Sequence, residues 1–162
     1  MPFFKTPSNE IIFIESLDDQ HLLPDGCTPL TDHEVLEPNL LETARKDKWE
    51  HIKAERDRRT LESGYKVGTK WFHSDQTSRT QQLGLILMGS NIPSNLMWKT
   101  MDGSFVQMTP TLAQQVLAAA ASSDSAIFIA AETHKAAING SLSSDAVRSY
   151  DIMTGWPQAY GE

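Results

Sequence analysis

The stretch Met97-Trp98-Lys99-Thr100-Met101-Asp102-Gly103-Ser104-Phe105-Val106-Gln107-Met108 constrains this chain more than any other. Asp-Gly between two strand-forming runs is the strongest hairpin signature a short sequence offers. Thr109-Pro110 follows at once, a hydroxyl N-cap with proline at the first helical position, where a missing amide does no harm. A strand pair that turns back and gives way to a helix predicts an α+β fold. A second short hairpin is expected over Tyr65–His73, around Gly68-Thr69.

Helices are expected around these hairpins. The spacing predicts a long charged helix over 40–62, with Glu42→Lys46 and Glu55→Arg59 as correctly oriented pairs and a thin apolar stripe of Leu41, Ala44, Trp49 and Ile52. Gly64 ends it, and Arg56 and Arg59 follow Ile52 on one face, so one of them is expected to be partly buried against carboxylates or carbonyls. Ser74 and Asp75 are both good caps for a helix over 75–88, whose apolar stripe is read as Leu83, Ile86 and Leu87, broadened by Leu85 and Met88. Beyond Pro110, Leu112, Val116 and Leu117 are expected to face inward. Ser122-Ser123-Asp124 interrupts or restarts the helix, and Ile127, Ala131, His134 and Ile138 then form one buried face as far as Gly140.

The N-terminal part reads as a small β unit. Ile11-Ile12-Phe13-Ile14 has strand length and composition, and Pro24-Asp25-Gly26 marks a turn. Thr31-Asp32-His33-Glu34 is a capping-box pattern, but Pro38 is expected to hold any helix starting there to a turn or two. The expected layout is a small β module over 1–39, a connecting helix over 40–62, an α+β body of helices with two short β-hairpins over 63–140, and an irregular tail over 141–162.

Charge follows this layout. Residues 1–42 hold nine acids and one base, whereas residues 43–70 hold nine bases and five acids, within a chain of net charge −7. Such a balance argues against a general grip on nucleic acid, which demands clustered Lys and Arg. The basic run Lys53–Arg59 is interleaved with acids and reads as a salt-bridged helix face. No apolar run approaches 18 residues, so no membrane segment is expected. The opening MPFFKTPSNE lacks an apolar core, so no secretory signal is expected either. The single cysteine, Cys27, suits a reducing compartment.

Candidate chemistry is sparse. His73-Ser74-Asp75 gathers triad residue types, but neighbours along a strand cannot point at one another, and capping explains Ser74 or Asp75. The five histidines and one cysteine show no metal-ligand spacing, and the glycines form no phosphate loop. No metal, cofactor or small-molecule substrate is expected. Trp49, Trp71 and Trp98 lie inside predicted elements and are read as core. Trp156, in the turn-rich tail, is either a staple to the body or an interaction anchor.

The stretch from Trp49 to Ile138 resembles a phage and prophage domain without an assigned function. The likeness runs through Ile52-Lys53-Ala54-Glu55-Arg56-Asp57-Arg58-Arg59, Gly64-Tyr65-Lys66-Val67, Trp71-Phe72-His73-Ser74-Asp75 with Ser78-Arg79, Trp98-Lys99-Thr100-Met101-Asp102-Gly103, Met108-Thr109-Pro110 and Ala126-Ile127-Phe128. Members of that group are typically encoded beside tail-fibre genes, and many resemble tail-fibre assembly chaperones. Leu22-Leu23-Pro24-Asp25-Gly26-Cys27-Thr28-Pro29-Leu30-Thr31 is similar to the openings of such proteins, as is Tyr150-Asp151 with Thr154-Gly155-Trp156-Pro157 to part of them.

The resemblance implies a non-enzymatic chaperone that binds the distal, C-terminal region of a trimeric tail-fibre protein. It implies work in the host bacterial cytoplasm during assembly, with or without retention on the virion tail. The alternative it leaves open is a structural tail component, a baseplate or fibre-attachment subunit. It carries over no catalytic residues. Partner contacts are expected from Ile12 and Ile14 in the N-terminal unit and from Trp156 and Tyr160 in the tail.

Overall fold

Thr31 and Glu34 close the expected capping box. The Glu34 amide donates to Thr31 Oγ1 at 3.2 Å, and the Glu34 carboxylate accepts from the Thr31 amide at 2.7 Å. That box opens α1, Asp32–Glu62, in the computed structural model, which describes residues 2–162. The helix therefore begins eight residues before the expected start at 40, and Pro38 lies inside it. A proline removes one i→i−4 bond; here the capped first turn has already nucleated the helix, so the loss does not end it.

Helix and strand make up 56 % and 13 % of the chain, and every strand pair is antiparallel, which is the α+β arrangement. The strands are β1 (Phe3–Lys5), β2 (Ile11–Phe13), β3 (Thr28–Leu30), β4 (Tyr65–Val67), β5 (Lys70–Phe72), β6 (Met97–Lys99) and β7 (Phe105–Gln107). The remaining helices are α2 (Gln76–Met88), α3 (Pro110–Gly140) and α4 (Ser144–Ser149), with 3₁₀ turns at Leu17–Leu22 and Gly89–Asn91. The stretch 141–162 is thus not irregular throughout. Ser143 caps α4 by accepting from the Ala146 amide at 3.2 Å.

The chain forms two units. One comprises the segment up to Lys48 with Gly140–Tyr150; the other comprises Trp49–Asn139 with Asp151–Glu162. In the first, β1 lies between β2 and β3. Within that unit, the Lys48 ammonium donates to the carbonyls of Arg148 and Tyr150 at 2.7 and 3.1 Å, and Arg45 donates to the Ser141 carbonyl at 2.7 Å. Ser144 Oγ donates to Glu37 at 3.0 Å.

The second unit holds the larger core: Tyr65, Phe72, Leu85, Ile92, Met108 and Val116, with smaller residues of α3. Both predicted hairpins are present, β4–β5 around Gly68-Thr69 and β6–β7 around Asp102-Gly103. In the latter, the Gly103 amide donates to the Thr100 carbonyl and the Thr100 amide to the Ser104 carbonyl, both at 2.9 Å. Gly103 sits at φ +81°, which makes this a three-residue loop with a glycine bulge.

Two helix faces differ from expectation. On α2 the buried residues are Gln82 and Leu85, while Leu83 and Leu87 are exposed. Gln82 accepts from the buried Tyr65 hydroxyl and donates to the His73 carbonyl at 3.0 Å, so a hydrogen-bonding need turns Leu83 and Leu87 outward while Leu85 is buried and Ile86 packs against the core. α3 runs unbroken through Ser122-Ser123-Asp124, with Val116 buried, Leu112 half-buried and Leu117 exposed. Ile127, Ala131, His134 and Ile138 are buried as predicted. α3 is also long and apolar enough by composition to cross a membrane, unlike the expectation from run length.

Candidate partner-binding surfaces

Strand parity decides what the N-terminal sheet offers. β1 and β2 pair as Phe3↔Phe13, Phe4↔Ile12 and Lys5↔Ile11. The Thr6 amide donates to the Glu10 carbonyl at 2.9 Å and the Ile14 amide to the Pro2 carbonyl at 3.1 Å. Antiparallel pairs alternate, so Phe4 and Ile12 exchange both of their bonds. The amides and carbonyls of Ile11 and Phe13 then point off the outer edge of β2, which among the described residues has no neighbouring strand.

Side chains follow the same alternation. Ile14 is 8 % exposed and Ile12 half-buried, on the Phe4 side; Ile11 and Phe13 are 50 % and 58 % exposed on the other. The two isoleucines expected to meet a partner therefore hold the sheet together, and their neighbours face outward. A four-residue apolar run contains both faces, and only the packed sheet selects between them.

The opposite edge is closed. β3 pairs with β1 as Phe3↔Leu30, Phe4↔Pro29 and Lys5↔Thr28. Because Phe4 turns its backbone groups toward β2, Phe3 and Lys5 turn theirs toward β3. Pro29 is left with its nitrogen facing outward, where it has no hydrogen to give. On the Ile11 face a groove of about 630 Å³ runs between Lys5, Ile11, Leu30, Pro38, Leu41 and Leu142. Glu10 and Glu15 bracket β2 in the chain.

Trp156 and Tyr160 belong to the other unit. The Trp156 indole N–H donates to the Ile152 carbonyl at 2.7 Å. Its ring lies 5.0 Å from the His134 imidazole and 5.6 Å from the Arg59 guanidinium carbon. The Tyr160 amide donates to the Ser63 carbonyl at 2.9 Å, and its ring meets Trp71 edge-on at 6.1 Å while one side stays exposed. Trp156 is thus stapled to the body, and Tyr160 is the more available of the two. Trp49, Trp71 and Trp98, read as core, are each half-buried. Trp49 lies under the Lys135 ammonium, 4.6 Å away.

Arg59 is the buried arginine that the pattern of α1 anticipates. It donates to Glu55 at 2.7 Å, to Glu162 at 3.0 Å and to the Pro157 carbonyl at 3.3 Å. The hydrogen bond from Arg58, ahead of that from Arg59, holds the Glu55 carboxyl below its ordinary range against the opposing effect of burial. The bond from Arg59 does the same for Glu162.

Within His73-Ser74-Asp75, the side chains of Ser74 and Asp75 have structural partners. The Asp75 carboxylate accepts from the Ser78 hydroxyl at 2.6 Å and the Ser78 amide at 3.0 Å, which caps α2 and lowers the Asp75 pKa. Ser74 Oγ accepts from the Gly64 amide at 3.0 Å. Among the described residues, no three His, Cys, Asp or Glu side chains gather as a metal site.

No curated protein and no solved structure matches the chain. A family model does, over residues 43–154, and its match begins where the acidic segment of residues 1–42 ends. By that match the chain belongs to the family described as a domain of unknown function, DUF4376.

Proposed function

We propose that this chain is a non-enzymatic assembly chaperone for a phage tail-fibre protein, binding the fibre's distal region before its three chains register. The observation that carries this reading is the open edge of β2, with its exposed Ile11 and Phe13, beside an apolar groove. Fibre chains are β-rich and assemble slowly, so their unpaired strands are exposed to wrong association in the interval. A short strand with unsatisfied backbone groups takes an extended segment by main-chain bonding, and a neighbouring groove selects its side chains. The acidic surroundings favour a fibre segment that carries basic residues.

The test is co-expression with a phage tail-fibre protein, taken from the neighbouring gene where that gene encodes one. Soluble trimeric fibre is expected only when both are present. Phe13→Pro removes an outward amide without touching the bonds to β1, so it is expected to keep the helical circular dichroism signal and lose fibre capture. Fibre that trimerises equally well without the chain overturns the proposal. Stoichiometric presence in purified particles, with fibre yield indifferent to Phe13→Pro, makes the chain a structural tail subunit instead.

A further inference from the structure

The two hairpins of the larger unit are tied together at one end. The Met101 amide donates to the Trp71 carbonyl at 2.9 Å, and the Lys70 ammonium donates to Asp102 and Ser104 at 2.8 and 2.7 Å. Two residues beyond Trp71, the His73 carbonyl accepts from the Gln82 side chain and not from β6. A pocket of about 310 Å³ opens there, with His73 and Gln81 on one side and Met97, Trp98, Lys99 and Phe105 on the other.

The edge of β6 beside this pocket carries free main-chain groups. The Thr100 amide donates to the Ser104 carbonyl and the Met108 amide to the Leu96 carbonyl, so Trp98 and Val106 exchange both bonds within the hairpin. The amides and carbonyls of Met97 and Lys99 therefore point off the other edge, the one on which Met101 reaches Trp71. A strand laid along them meets the closed end just after Lys99. Such a slot suits a chain that stops there and blocks one that continues.

The polar side chains around the slot are unengaged. Among the described residues, His73, Gln81 and Lys99 make no side-chain hydrogen bond or ion pair. No carboxylate lines the pocket. Asp75 feels the charge of the His73 imidazole, but its two oxygens are occupied by the Ser78 amide and hydroxyl. Met97 and Phe105 are 51 % and 60 % exposed, beside the Trp98 ring. A cation and two further donors next to rings match a carboxylate on an apolar body and oppose an ammonium.

We infer that this pocket captures the free carboxyl terminus of an extended peptide whose last side chain is apolar. The terminal strand pairs with the main chain of Met97 and Lys99. Its carboxylate accepts from the Lys99 ammonium, with Gln81 and His73 as further donors, and its last side chain packs on Phe105 and Trp98. The pocket belongs to a different unit from β2 and is tested without a fibre protein, so the two proposals stand or fall separately.

Fluorescence anisotropy of the full-length chain tests this, with a synthetic peptide labelled at its amino end and ending in Ser-Thr-Val-Phe. The free acid is expected to bind with a Kd of roughly 10–100 µM. The amidated peptide, and one that continues past the phenylalanine, are each expected to bind about tenfold more weakly or worse. Lys99→Gln, at an exposed position, is expected to weaken the free acid by a similar factor with unchanged circular dichroism, and Lys99→Arg to keep most of the affinity. Equal binding of acid and amide overturns the inference, as does a Lys99→Gln protein that binds like wild type. No binding at about 1 mM peptide overturns it too. So does displacement of the peptide by an equal concentration of hydrocinnamate, because a small apolar acid with no main chain to pair would then be the ligand.

Discussion

Arg79 holds Asp124 through both terminal guanidinium nitrogens, at 2.7 and 2.8 Å, and so joins α2 to α3. The same side chain donates to the carbonyls of Ser74 at 2.6 Å and Thr60 at 2.7 Å, and its cation lies 5.7 Å from the Tyr65 ring. The end of α1, β4, the residues before α2 and the middle of α3 thus meet at one planar group, with a fork geometry that lysine cannot reproduce. Asp124, part of a stretch that reads as an interruption or restart of the helix, lies inside the unbroken α3 and is held there by Arg79.

Arg79→Ala is therefore expected to cost about 2–4 kcal/mol, since it leaves a carboxylate and two carbonyls without their donor. Asp124→Ala should cost less, because Arg79 keeps its backbone acceptors. Urea denaturation of both variants and the double mutant measures the coupling, expected at about 1–2 kcal/mol. Strict additivity would mean the pair does not act as a unit.

Gly64 follows α1 at φ +70°, and a Cβ there would press on Met101 Sδ and lie 2.9 Å from the Phe72 carbonyl oxygen. Gly64→Ala is expected to destabilise by more than about 1 kcal/mol. Met101→Ala should restore only part of the loss, because the left-handed backbone and the carbonyl contact persist. Thermal unfolding of the single and double variants checks this; full rescue would place the whole cost in the methionine.

The pH response follows from Glu55. Its carboxyl titrates below the ordinary range when folded, chiefly through Arg58 and then Arg59. Its ionised form then contributes stability that is complete above the unfolded value of about 4.3 and is lost as pH falls through the folded value. Glu55→Gln should narrow this dependence. The stability gap between wild type and variant is expected to stay constant from about pH 8 to 5 and to close progressively below about pH 4. Urea midpoints across that range decide it, and a gap undiminished at pH 3 would remove the ionised carboxylate as its source.

Trp156 separates into two contributions. Trp156→Phe keeps a ring beside His134 and Arg59 but loses the bond to Ile152, and is expected to cost about 1 kcal/mol. Trp156→Ala loses both, at about 2–3 kcal/mol. Fibre capture by either variant, measured below its unfolding temperature, should match wild type if the indole is only a staple.

Local chemistry made much of this fold legible in the sequence. Thr31 with Glu34, Asp75, Thr109-Pro110, Gly68-Thr69 and Asp102-Gly103 each act within a few residues, and each stands where its pattern put it. What escaped depends on partners far along the chain. Gln82 displaces Leu83 and Leu87 from the inner face of α2 because Tyr65, seventeen residues earlier, needs an acceptor. Ile12 and Ile14 point inward because Phe4 lies opposite Ile12, and nothing in Ile11-Ile12-Phe13-Ile14 sets that parity. Pro38 weighed too heavily because a proline's cost depends on how firmly the preceding turn is already held.

Pro29 has a consequence for growth at high concentration. A sheet with two receptive sides accepts a strand on one and offers the other to the next chain, and the process has no natural end. Here propagation would require an outward amide on β3 that proline does not possess. In the N-terminal sheet, among the described residues, only the β2 side offers outward amides. A strand pairing there would complete that sheet without creating a second site for growth, and the sheet would act as a terminator.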